Sequence, residues 1–378
     1  MNSVHIAIVR TEFIRTRGGA ERYAVDLAQH WLKQGHRISI VCHRYDDKDA
    51  KGMDVVPVSR PKVLGPFKHS WFAKRAGKAA SESGADAILC LARAYPGDVL
   101  RLGDGLHQMW LETRYCKEGA KRRARLNPRH RELLSLEKGL FKPGRFGHYV
   151  ANSEMIREQV IERFNLEPRR ISVIQNGVDW ARFNTSQREE RNAWRSGHGI
   201  PTDVKLVLFS GMDFRRKGLM QAVTGFIRLA QSRPDVHFAC VGPGYTGTAE
   251  ELLAKAAPGR ASFIQQTEDI ARWYGAADVF VLPTMHDPSA NAVTESLACG
   301  TPVITSAENG AKQHIRDGAN GYVLQDRLNA DELALRIDQL LSAPPVPDAV
   351  VDSASLLSRE TNADRMLETL RRAAEQRA

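Results

Sequence analysis

Short apolar runs alternate with longer amphipathic segments along almost the whole chain. The first run is Val4–Val9, and the segment after it carries Leu27 and Trp31 at helical spacing before a second run, Ile38–Val41. Apolar runs of strand length separated by amphipathic segments predict strands that alternate with helices. A strand–helix–strand beginning is typical of a parallel sheet whose faces are covered by helices.

The alternation occurs in two blocks. In the first block, strands are predicted at 4–9, 38–41, 55–58, 87–91, 148–153 and 171–174. In the second, strands are predicted at 205–209, 236–241, 261–265, 278–282 and 302–305, and helices at 218–231, 247–256, 268–275, 288–298, 331–342 and 360–377. Two such blocks predict an α/β protein of two Rossmann-like domains with the ligand in the cleft between them. The polar stretch from Asn176 to Gly199 is predicted to link the domains, with the hinge near Gly177.

Composition narrows the class of protein. The chain has 378 residues, of which 42% are hydrophobic and 26% charged, as in ordinary soluble proteins. No apolar run approaches the roughly 20 residues of a membrane helix, and the N-terminus enters a strand with no signal peptide. The five cysteines are scattered: Cys42, Cys90, Cys116, Cys240 and Cys299. We therefore expect reduced thiols in a cytoplasmic protein.

Charge is unevenly placed along the chain. Residues 1–178 contain 32 Lys+Arg and 19 Asp+Glu, a net +13, which leaves −3 for the remainder. This asymmetry indicates an anionic partner, with nucleic acid, anionic lipid and phosphorylated sugar all open. The densest basic run contains Arg114, Lys117, Lys121, Arg122, Arg123, Arg125, Arg129 and Arg131, beside Trp110 and Tyr115. A solvated face or a patch for an anionic membrane surface fits this run, whereas nucleic acid is disfavoured because no binding-fold signature accompanies it.

The stretch Asp287–Gly300 places two carboxylates at a predicted helix N-terminus. Asp287 suits the N-cap and Pro288 the first helical position. Asp287 and Glu295 are eight residues apart, so on a helix they lie near one face. The N-terminus of a helix attracts anions, whereas carboxylates accept hydrogen bonds from hydroxyl groups. A nucleotide-sugar has both an anionic diphosphate and sugar hydroxyl groups. A capping Asp followed by a solvated Glu explains the same pair.

A second candidate lies in the loop Gly211–Gly218, where Arg216 and Lys217 precede a helix. A guanidinium fork beside an ammonium can neutralise the diphosphate of a nucleotide-sugar. No convincing Asp-x-Asp sequence follows a strand, so neither a metal site nor another cofactor is expected. A basic loop at a helix start, without a ligand, is the alternative explanation of the pair.

The loop Val241–Gly244 is a third strand–loop motif, besides Gly211–Gly218 and Asp287–Gly300. Together the three motifs make the sequence resemble the retaining family-4 glycosyltransferases of GT-B fold, including those that build the lipopolysaccharide core. The family's Glu-x7-Glu motif corresponds to Asp287 and Glu295, with Asp in place of the first Glu. The resemblance implies transfer of a hexose, glucose from UDP-glucose, onto a heptose of a lipid-linked oligosaccharide acceptor. It also implies domains at 1–176 and 177–359 and a helix at 360–378 that crosses back to the first domain.

The resemblance assigns the site residues as well. On the donor side it implies Arg216 and Lys217 at the diphosphate, Glu295 at the ribose, Asp287 at the hexose, the backbone of Ala290 and Asn291 at the sugar or phosphate, Thr267 near the base, and Gly18 and Gly19 beside the diphosphate. On the acceptor side it implies Glu21 and His107, with Asp104 near the reacting sugar. Because an Asp side chain is one methylene shorter than that of Glu, Asp287 reaches less far toward the hexose than the family's Glu does.

Other functions remain open at this point. A nucleotide-sugar epimerase of GT-B fold, or a family-4 transferase that acts on another glycan or glycolipid, would carry the same motifs. An NAD-dependent oxidoreductase is disfavoured because Gly18-Gly19 is not a Gly-x-Gly-x-x-Gly fingerprint. For a lipid-linked acceptor, we expect the protein at the inner face of the cytoplasmic membrane, attached peripherally through Arg114–Arg131.

Overall fold

The computed structural model of the chain describes residues 3–115, 118–267 and 269–376. Contacts divide the chain into two compact units, Met1–Gly177 with Arg359–Ala378, and Val178–Ser358. Each unit is built on a parallel sheet with helices, so the predicted α/β class is confirmed. Cys116 and Lys117 of the basic run, and residues 268 and 377 at predicted helix ends, lie outside the described residues. No helix within the described ranges is long and apolar enough to span a membrane.

The first unit contains nine strands and six helices among its described residues up to Gly177. The strands are β1 (His5–Val9), β2 (Glu12–Phe13), β3 (Arg37–Cys42), β4 (Arg44–Tyr45), β5 (Asp54–Pro57), β6 (Ala87–Cys90), β7 (Val99–Leu102), β8 (His148–Ala151) and β9 (Ile171–Val173). The helices are α1 (Gly19–Lys33), α2 (Lys68–Glu82), α3 (His107–Arg114), α4 (Glu118–Leu126), α5 (Pro128–Leu140) and α6 (Glu154–Phe164). Seven strands form one parallel sheet in the order β5-β3-β1-β6-β7-β8-β9, while β2 pairs with β4.

Burial on both faces explains why the strands of this sheet are continuous apolar runs. Ile6 and Ile8 of β1 belong to one hydrophobic cluster, with Trp31 of α1. Ala7 and Val9 point the other way, into a second cluster that includes helix α2. Because side chains alternate across a strand, a sheet covered on both faces needs apolar residues at every position.

The second unit repeats this plan with six strands and eight helices among its described residues. The strands are β10 (Lys205–Ser210), β11 (Val236–Val241), β12 (Ala261–Ile264), β13 (Val279–Leu282), β14 (Val303–Ser306) and β15 (Gly321–Leu324). The helices are α7 (Arg191–Gly197), α8 (Phe214–Lys217), α9 (Leu219–Ala230), α10 (Gly247–Ala256), α11 (Ile270–Ala276), α12 (Asn291–Ala298), α13 (Ala330–Ser342) and α14 (Pro347–Asp352). The parallel sheet has the order β12-β11-β10-β13-β14-β15. Its hydrophobic residues form one continuous core cluster.

The last helix, α15 (Arg359–Glu375), belongs to the first unit. Met366 and Leu370 lie in the same cluster as Ile6 and Ile8 of β1. The indole Nε1 of Trp31 donates to the Ala363 carbonyl at 3.1 Å, which ties α15 to α1. The end of the chain therefore completes one face of the first sheet.

The predicted linker 176–199 is mostly folded, and that prediction was wrong. Helix α7 lies within it, and Arg195 of this helix is only 3% exposed. The Arg195 guanidinium donates to the Ala276 carbonyl at 2.9 Å and pairs with Asp278 at 2.8 Å. Buried hydrogen bonds to residues distant in the sequence satisfy the charged side chains of this segment. Because such bonds leave no local signal in the sequence, the polar segment resembled a linker.

Candidate functional site

Three loops meet at the carboxyl edge of the second sheet, the edge at which ligands bind in folds of this type. They follow β10, β11 and β13. A Cβ on Gly218 would stand 2.0 Å from the Pro283 carbonyl oxygen, and one on Gly242 2.0 Å from that of Gly211. Both glycines have positive φ, +85° and +139°, so any other residue would displace a neighbouring loop. The glycines of these motifs therefore allow the three loops to pack together.

Asp287 joins the two basic residues of this edge. Its Oδ2 accepts hydrogen bonds from Nη1 of Arg216 and Nζ of Lys217, each at 2.7 Å. The side chains of Asp287 and Lys217 are only 8% and 13% exposed, whereas 29% of Arg216 remains exposed. Arg216 also pairs with Asp213 at 3.6 Å, so two cations face two carboxylates in this cluster. Arg216, the more exposed of the two cations, keeps guanidinium donors that can bind an anion.

The Asp287 carboxylate is ionised and has little capacity left for a ligand. Burial alone would raise its pKa, but Lys217 and Arg216 hold the pKa of Asp287 below its usual value. Oδ1 accepts from the Ser289 N–H at 3.3 Å. Each carboxylate oxygen has two lone pairs, so the two cations occupy Oδ2 and one position remains on Oδ1. In this arrangement Asp287 orients the basic pair first, and it can take one ligand hydroxyl besides.

The helix after Asp287 begins later than predicted. Because α12 starts at Asn291, Asp287 is not its N-cap, and that prediction was wrong. The fully buried Asn309 accepts the Ala290 N–H through Oδ1 at 3.2 Å instead. The role that the resemblance implies for the Ala290 backbone would therefore require this N–H to leave Asn309. The sequence signal for Asn309 was its Asn-Gly pair after β14, which the motif analysis did not use.

Glu295 and Thr267 lie in the same unit. Glu295 of α12 lies close to Tyr274: burial raises the pKa of this tyrosine most, and the charge of Glu295 raises it further. Asn291, at the start of the same helix, accepts from the Thr294 hydroxyl through its carbonyl at 3.0 Å. Thr267 follows β12, and its Oγ1 accepts from the Asp269 N–H at 3.1 Å. The ribose and base contacts of Glu295 and Thr267 remain predictions.

Arg10 organises the carboxyl edge of the first sheet, and the motif analysis gave it no role. It follows β1 directly and is 9% exposed. Its guanidinium donates to Glu21 at 2.7 Å and to the Leu91 carbonyl at 2.5 Å, and pairs with Asp104 at 3.5 Å. Glu21 stands in the first turn of α1, which begins at the paired glycines Gly18 and Gly19, with Gly18 as N-cap. Here one cation faces two carboxylates.

Asp104 follows β7, and its side chain is 49% exposed. Partial desolvation of the carboxyl opposes ionisation, but Arg10, Arg93 and Arg101 together hold the pKa of Asp104 below its usual value. The loop that carries it is anchored by Asn152, whose side chain donates to the Gly103 carbonyl at 3.2 Å. Asp104 therefore presents an ionised, oriented carboxylate at the edge of the sheet.

His107 begins α3 and is held by two neighbours. Its N–H donates to the buried carboxylate of Glu137 on α5, and its Nε2 lies 3.1 Å from Nδ1 of His130. Burial first, and then the charge of Arg93, lowers the pKa of His107 to about 3. The imidazole is therefore neutral near pH 7 and can exchange hydrogen bonds with a ligand, although it is a poor general acid.

The basic run extends over α3, α4 and the start of α5. Arg122, Arg123 and Arg125 are exposed, whereas Lys121 pairs with Glu118 at 2.8 Å. Trp110 and Tyr115, the two aromatic residues beside the run, are half-buried, and Arg114 stacks over the Trp110 ring at 5.1 Å. Between the three helices is a cavity of about 270 Å³. Basic side chains and Leu126, which is 72% exposed, therefore form the outer surface here.

The described part of the chain has no group of three or more His, Cys, Asp or Glu side chains arranged to hold a metal ion. Its four cysteines, Cys42, Cys90, Cys240 and Cys299, are buried and free.

Open α/β sheets bind ligands beyond the carboxyl ends of their strands, and each of the two units has a charged cluster there. The model "Glycosyltransferase Family 4" matches residues 17–182, and "Glycosyl transferases group 1" matches residues 190–356. These two models together match most of the sequence, and the chain belongs to the family-4 glycosyltransferases of GT-B fold. The resemblance inferred from the motifs is confirmed.

Curated relatives align with part of the chain. The D-inositol 3-phosphate glycosyltransferase of Mycobacterium sp. (strain KMS) is 32% identical over 220 residues, which are 55% of this chain and 48% of the relative. The lipopolysaccharide core biosynthesis glycosyltransferase LpsE of Rhizobium meliloti is 30% identical over 230 residues, 57% of this chain and 64% of LpsE. The aligned part thus spans about half to two thirds of the length of these relatives.

Solved structures match nearly the whole chain. WaaG, a glycosyltransferase involved in lipopolysaccharide biosynthesis, superposes with a TM-score of 0.79 at 19% identity and covers 97% of this chain and 99% of its own. HepE of Anabaena in complex with UDP-glucose has a TM-score of 0.71 at 17% identity, and the match covers 97% of this chain and 99% of HepE. At these identities the likeness establishes the fold, which is GT-B.

Proposed function

We propose that the protein transfers a hexose from a UDP-sugar to a sugar of a lipid-linked acceptor, with retention of anomeric configuration and without a metal ion. The observation that supports this most is the pair Arg216 and Lys217 held on the buried Asp287 at the carboxyl edge of the second sheet. The guanidinium and ammonium donors of this pair suit a diphosphate, and Glu295 on helix α12 suits the ribose hydroxyls.

The comparisons support particular choices of donor and acceptor. HepE was solved with UDP-glucose, which favours UDP-glucose as the donor. WaaG and LpsE act in lipopolysaccharide biosynthesis, which favours a core sugar as the acceptor, with a heptose as the first candidate. The relatives share the family and the fold with this chain, so these choices are the first to test.

In the proposed reaction, the acceptor hydroxyl attacks the anomeric carbon from the face that UDP leaves. The bond from that carbon to the β-phosphate oxygen breaks as the glycosidic bond forms, and the leaving phosphate takes the acceptor proton. Arg216 and Lys217 stabilise the charge that develops on the phosphate. Asp104 is ionised and held by Arg10, and it accepts a hydrogen bond from a sugar hydroxyl near the reacting carbon. His107 binds the acceptor.

A lipid-linked acceptor places the reaction at a membrane surface. We assign the exposed arginines of α4, Arg122, Arg123 and Arg125, to contact with anionic head groups of the inner leaflet. The exposed Leu126 beside them can enter the interface, as the apolar residues of interfacial helices do.

The test is release of UDP from UDP-glucose, measured with and without a heptose-terminated core lipid. A transferase releases UDP in an acceptor-dependent manner, whereas an epimerase releases UDP and a free epimerised sugar without acceptor. NMR of the product distinguishes retention from inversion at the anomeric carbon. Activity should persist in EDTA, and complete loss that Mg²⁺ or Mn²⁺ restores would contradict the metal-free mechanism.

A further inference from the structure

Four polar side chains are fully buried behind the segment Asp287–Ala290, at the carboxyl edge of the second sheet. They are Thr284, Thr305, Ser306 and Asn309, each 0% exposed. A buried hydroxyl or amide group destabilises the folded protein unless it is hydrogen-bonded, and apolar side chains of similar size would fill the same space without this requirement. The hydrogen bonds of these four residues therefore indicate what the group holds in place.

Hydrogen bonds from the three hydroxyl groups join segments that follow neighbouring strands. Thr305 Oγ1 donates to the carbonyl of Leu282, the last residue of β13, at 2.9 Å. Ser306 Oγ donates to the Thr284 carbonyl at 2.6 Å, and the Thr284 hydroxyl donates to the Arg216 carbonyl at 2.9 Å. The segments after β14, β13 and β10 are therefore connected through buried side chains, and the backbone of Arg216 is one of the points that they hold.

Asn309 connects this group to the segment that contains Asp287. Its Oδ1 accepts the N–H groups of Ala290 at 3.2 Å and of Ala311 at 3.1 Å. Its Nδ2 donates to Thr305 Oγ1 at 2.9 Å. A side-chain amide can accept two hydrogen bonds and donate another at the same time, whereas an ionised carboxylate only accepts and an Ala side chain does neither. An Asn residue therefore suits this position.

The backbone beside Asn309 holds the other end of the same segment. The Asp287 N–H donates to the Glu308 carbonyl at 3.0 Å, and the Gly310 N–H donates to the Asp287 carbonyl at 2.8 Å. The neighbours of Asn309 thus hold Asp287, while the Asn309 side chain holds Ala290. Both ends of the segment Asp287–Ala290 are therefore attached to a single turn.

We propose that Asn309 is a positioning residue for the donor hexose, which acts through Asp287 and does not itself touch the donor. The inference deepens the proposed function and rests on it, because it concerns the same donor site. Without the Asn309 amide, the Ala290 N–H would lose its buried partner and the segment could shift. The Asp287 carboxylate, assigned to the hexose, would then lose its fixed orientation, and small displacements of such groups are costly.

Glu295 should not depend on Asn309, because α12 is held separately. The hydroxyl of Ser296, the residue after Glu295, donates to the Thr301 carbonyl at 3.1 Å. The Thr301 hydroxyl donates to the Tyr274 carbonyl at 2.7 Å. The ribose contact assigned to Glu295 should therefore survive loss of the Asn309 amide, so that only the hexose end of the donor is affected.

The test is calorimetry of UDP and of UDP-glucose with the unmodified protein and with Asn309→Ala. We expect Asn309→Ala to weaken binding of UDP-glucose about tenfold and to change the affinity for UDP less than about twofold. Because Asn309 acts through Asp287, Asn309→Ala/Asp287→Asn should bind UDP-glucose no more weakly than Asp287→Asn alone. If Asn309→Ala does not fold, Thr305→Val tests the same network. It removes the acceptor of Asn309 Nδ2 at nearly constant side-chain size, and it should weaken UDP-glucose selectively, about threefold.

The matched control is Asn320→Ala. Asn320 is 1% exposed in the same unit, its Oδ1 accepts the Arg316 N–H at 2.7 Å, and its Nδ2 donates to the His314 carbonyl at 2.9 Å. Its carbonyl accepts the N–H of Val303, the first residue of β14, so it lies at the opposite edge of the sheet. This variant should lower the free energy of unfolding, as Asn309→Ala does, and bind both ligands like the unmodified protein.

Two results would show a merely structural role and overturn the proposal: equal loss of UDP and UDP-glucose affinity in Asn309→Ala, or additive losses in the double variant. The same selective loss in Asn320→Ala would overturn it too. Unchanged affinity for UDP-glucose in Asn309→Ala would contradict this inference alone and leave the proposed function intact. If the unmodified protein binds no UDP, the proposed function fails, and this inference fails with it.

Discussion

The two units contain ionic clusters of opposite composition at equivalent edges of their sheets. In the first unit, the guanidinium of Arg10 stands between the carboxylates of Glu21 and Asp104. In the second unit, the carboxylate of Asp287 stands between the cations Arg216 and Lys217. Exposed carboxylates suit sugar hydroxyls and exposed guanidinium donors suit a diphosphate, so the same fold can bind different parts of the substrates.

The overall charges of the units run the other way. Residues 1–177 and 359–378 carry 37 Lys+Arg and 23 Asp+Glu, a net +14, whereas residues 178–358 carry 17 and 21, a net −4. The basic unit thus has the cluster with a central cation, and the acidic unit has the cluster with a central carboxylate. Net charge reports what the outer surface attracts, while the chemistry of a site depends on which few side chains meet there.

The largest expected effect concerns the surface of the basic unit. Reversing Lys121, Arg122, Arg123 and Arg125 to Glu should weaken binding to phosphatidylglycerol vesicles about 10³-fold, because each cation near an anionic surface contributes about 1 kcal/mol. Co-sedimentation should also show binding that weakens with salt, and little binding to phosphatidylcholine. The control reverses four exposed cations elsewhere in the unit: Lys33, Lys51, Lys142 and Arg169. Equal loss in the control would mean that net charge, not this surface, governs binding.

The next largest effect concerns the two cations of the second cluster. Arg216→Ala and Lys217→Ala should each lower kcat about 10²-fold or more, because each removes a donor to the charge that develops on the leaving phosphate. Arg215→Ala is the matched control, since Arg215 lies exposed in the same short helix α8. Steady-state kinetics with UDP-glucose measures both. Unchanged kinetics in either test variant would remove the diphosphate role.

A smaller effect should separate the two carboxylates of the second unit. Glu295→Ala should weaken binding of UDP alone about tenfold, as expected for loss of one hydrogen bond between a carboxylate and a ribose hydroxyl. Asp287→Asn should weaken UDP less and lower transfer of the hexose, since the cations that Asp287 orients remain present. Calorimetry measures the affinity of each variant for UDP. If Asp287→Asn costs as much UDP affinity as Glu295→Ala, the assignment of the two residues is wrong.

The smallest expected effect is a loss of stability at low pH, to which one histidine in each unit contributes in the same way. Burial lowers the pKa of His69 in the first unit and of His237 in the second to about 4. The unfolded imidazole binds a proton below about pH 6.5 while the folded one does not until about pH 4, so stability should fall as pH decreases through this range. For the buried His237 the loss is at most about 1.4 kcal/mol per pH unit. Urea unfolding at pH 7 and pH 5 measures it, His237→Gln should reduce the slope, and a flat profile would contradict the lowered pKa.

The sequence by itself was enough to predict the α/β class, nearly all strands of both sheets and the family. Each of these depends on neighbours along the chain: apolar runs identify buried strands, and loop motifs such as Gly211–Gly218 follow them directly. Even the basic pair Arg216 and Lys217 could be found this way. The missed helix α7 shows the limit, because Arg195 is stabilised by Asp278, 83 residues away.

Tertiary structure alone decided which side chains meet. Arg10 contacts Asp104 across 94 residues of sequence, and Arg216 contacts Asp287 across 71. The start of α12 depends on Asn309, which comes after that helix in the chain. Helical and strand periodicity carry information over one or two turns, whereas these contacts form only when loops from different strands reach one sheet edge. The carboxylate that a local pattern predicts as a helix cap is therefore, in the folded protein, the partner of two cations.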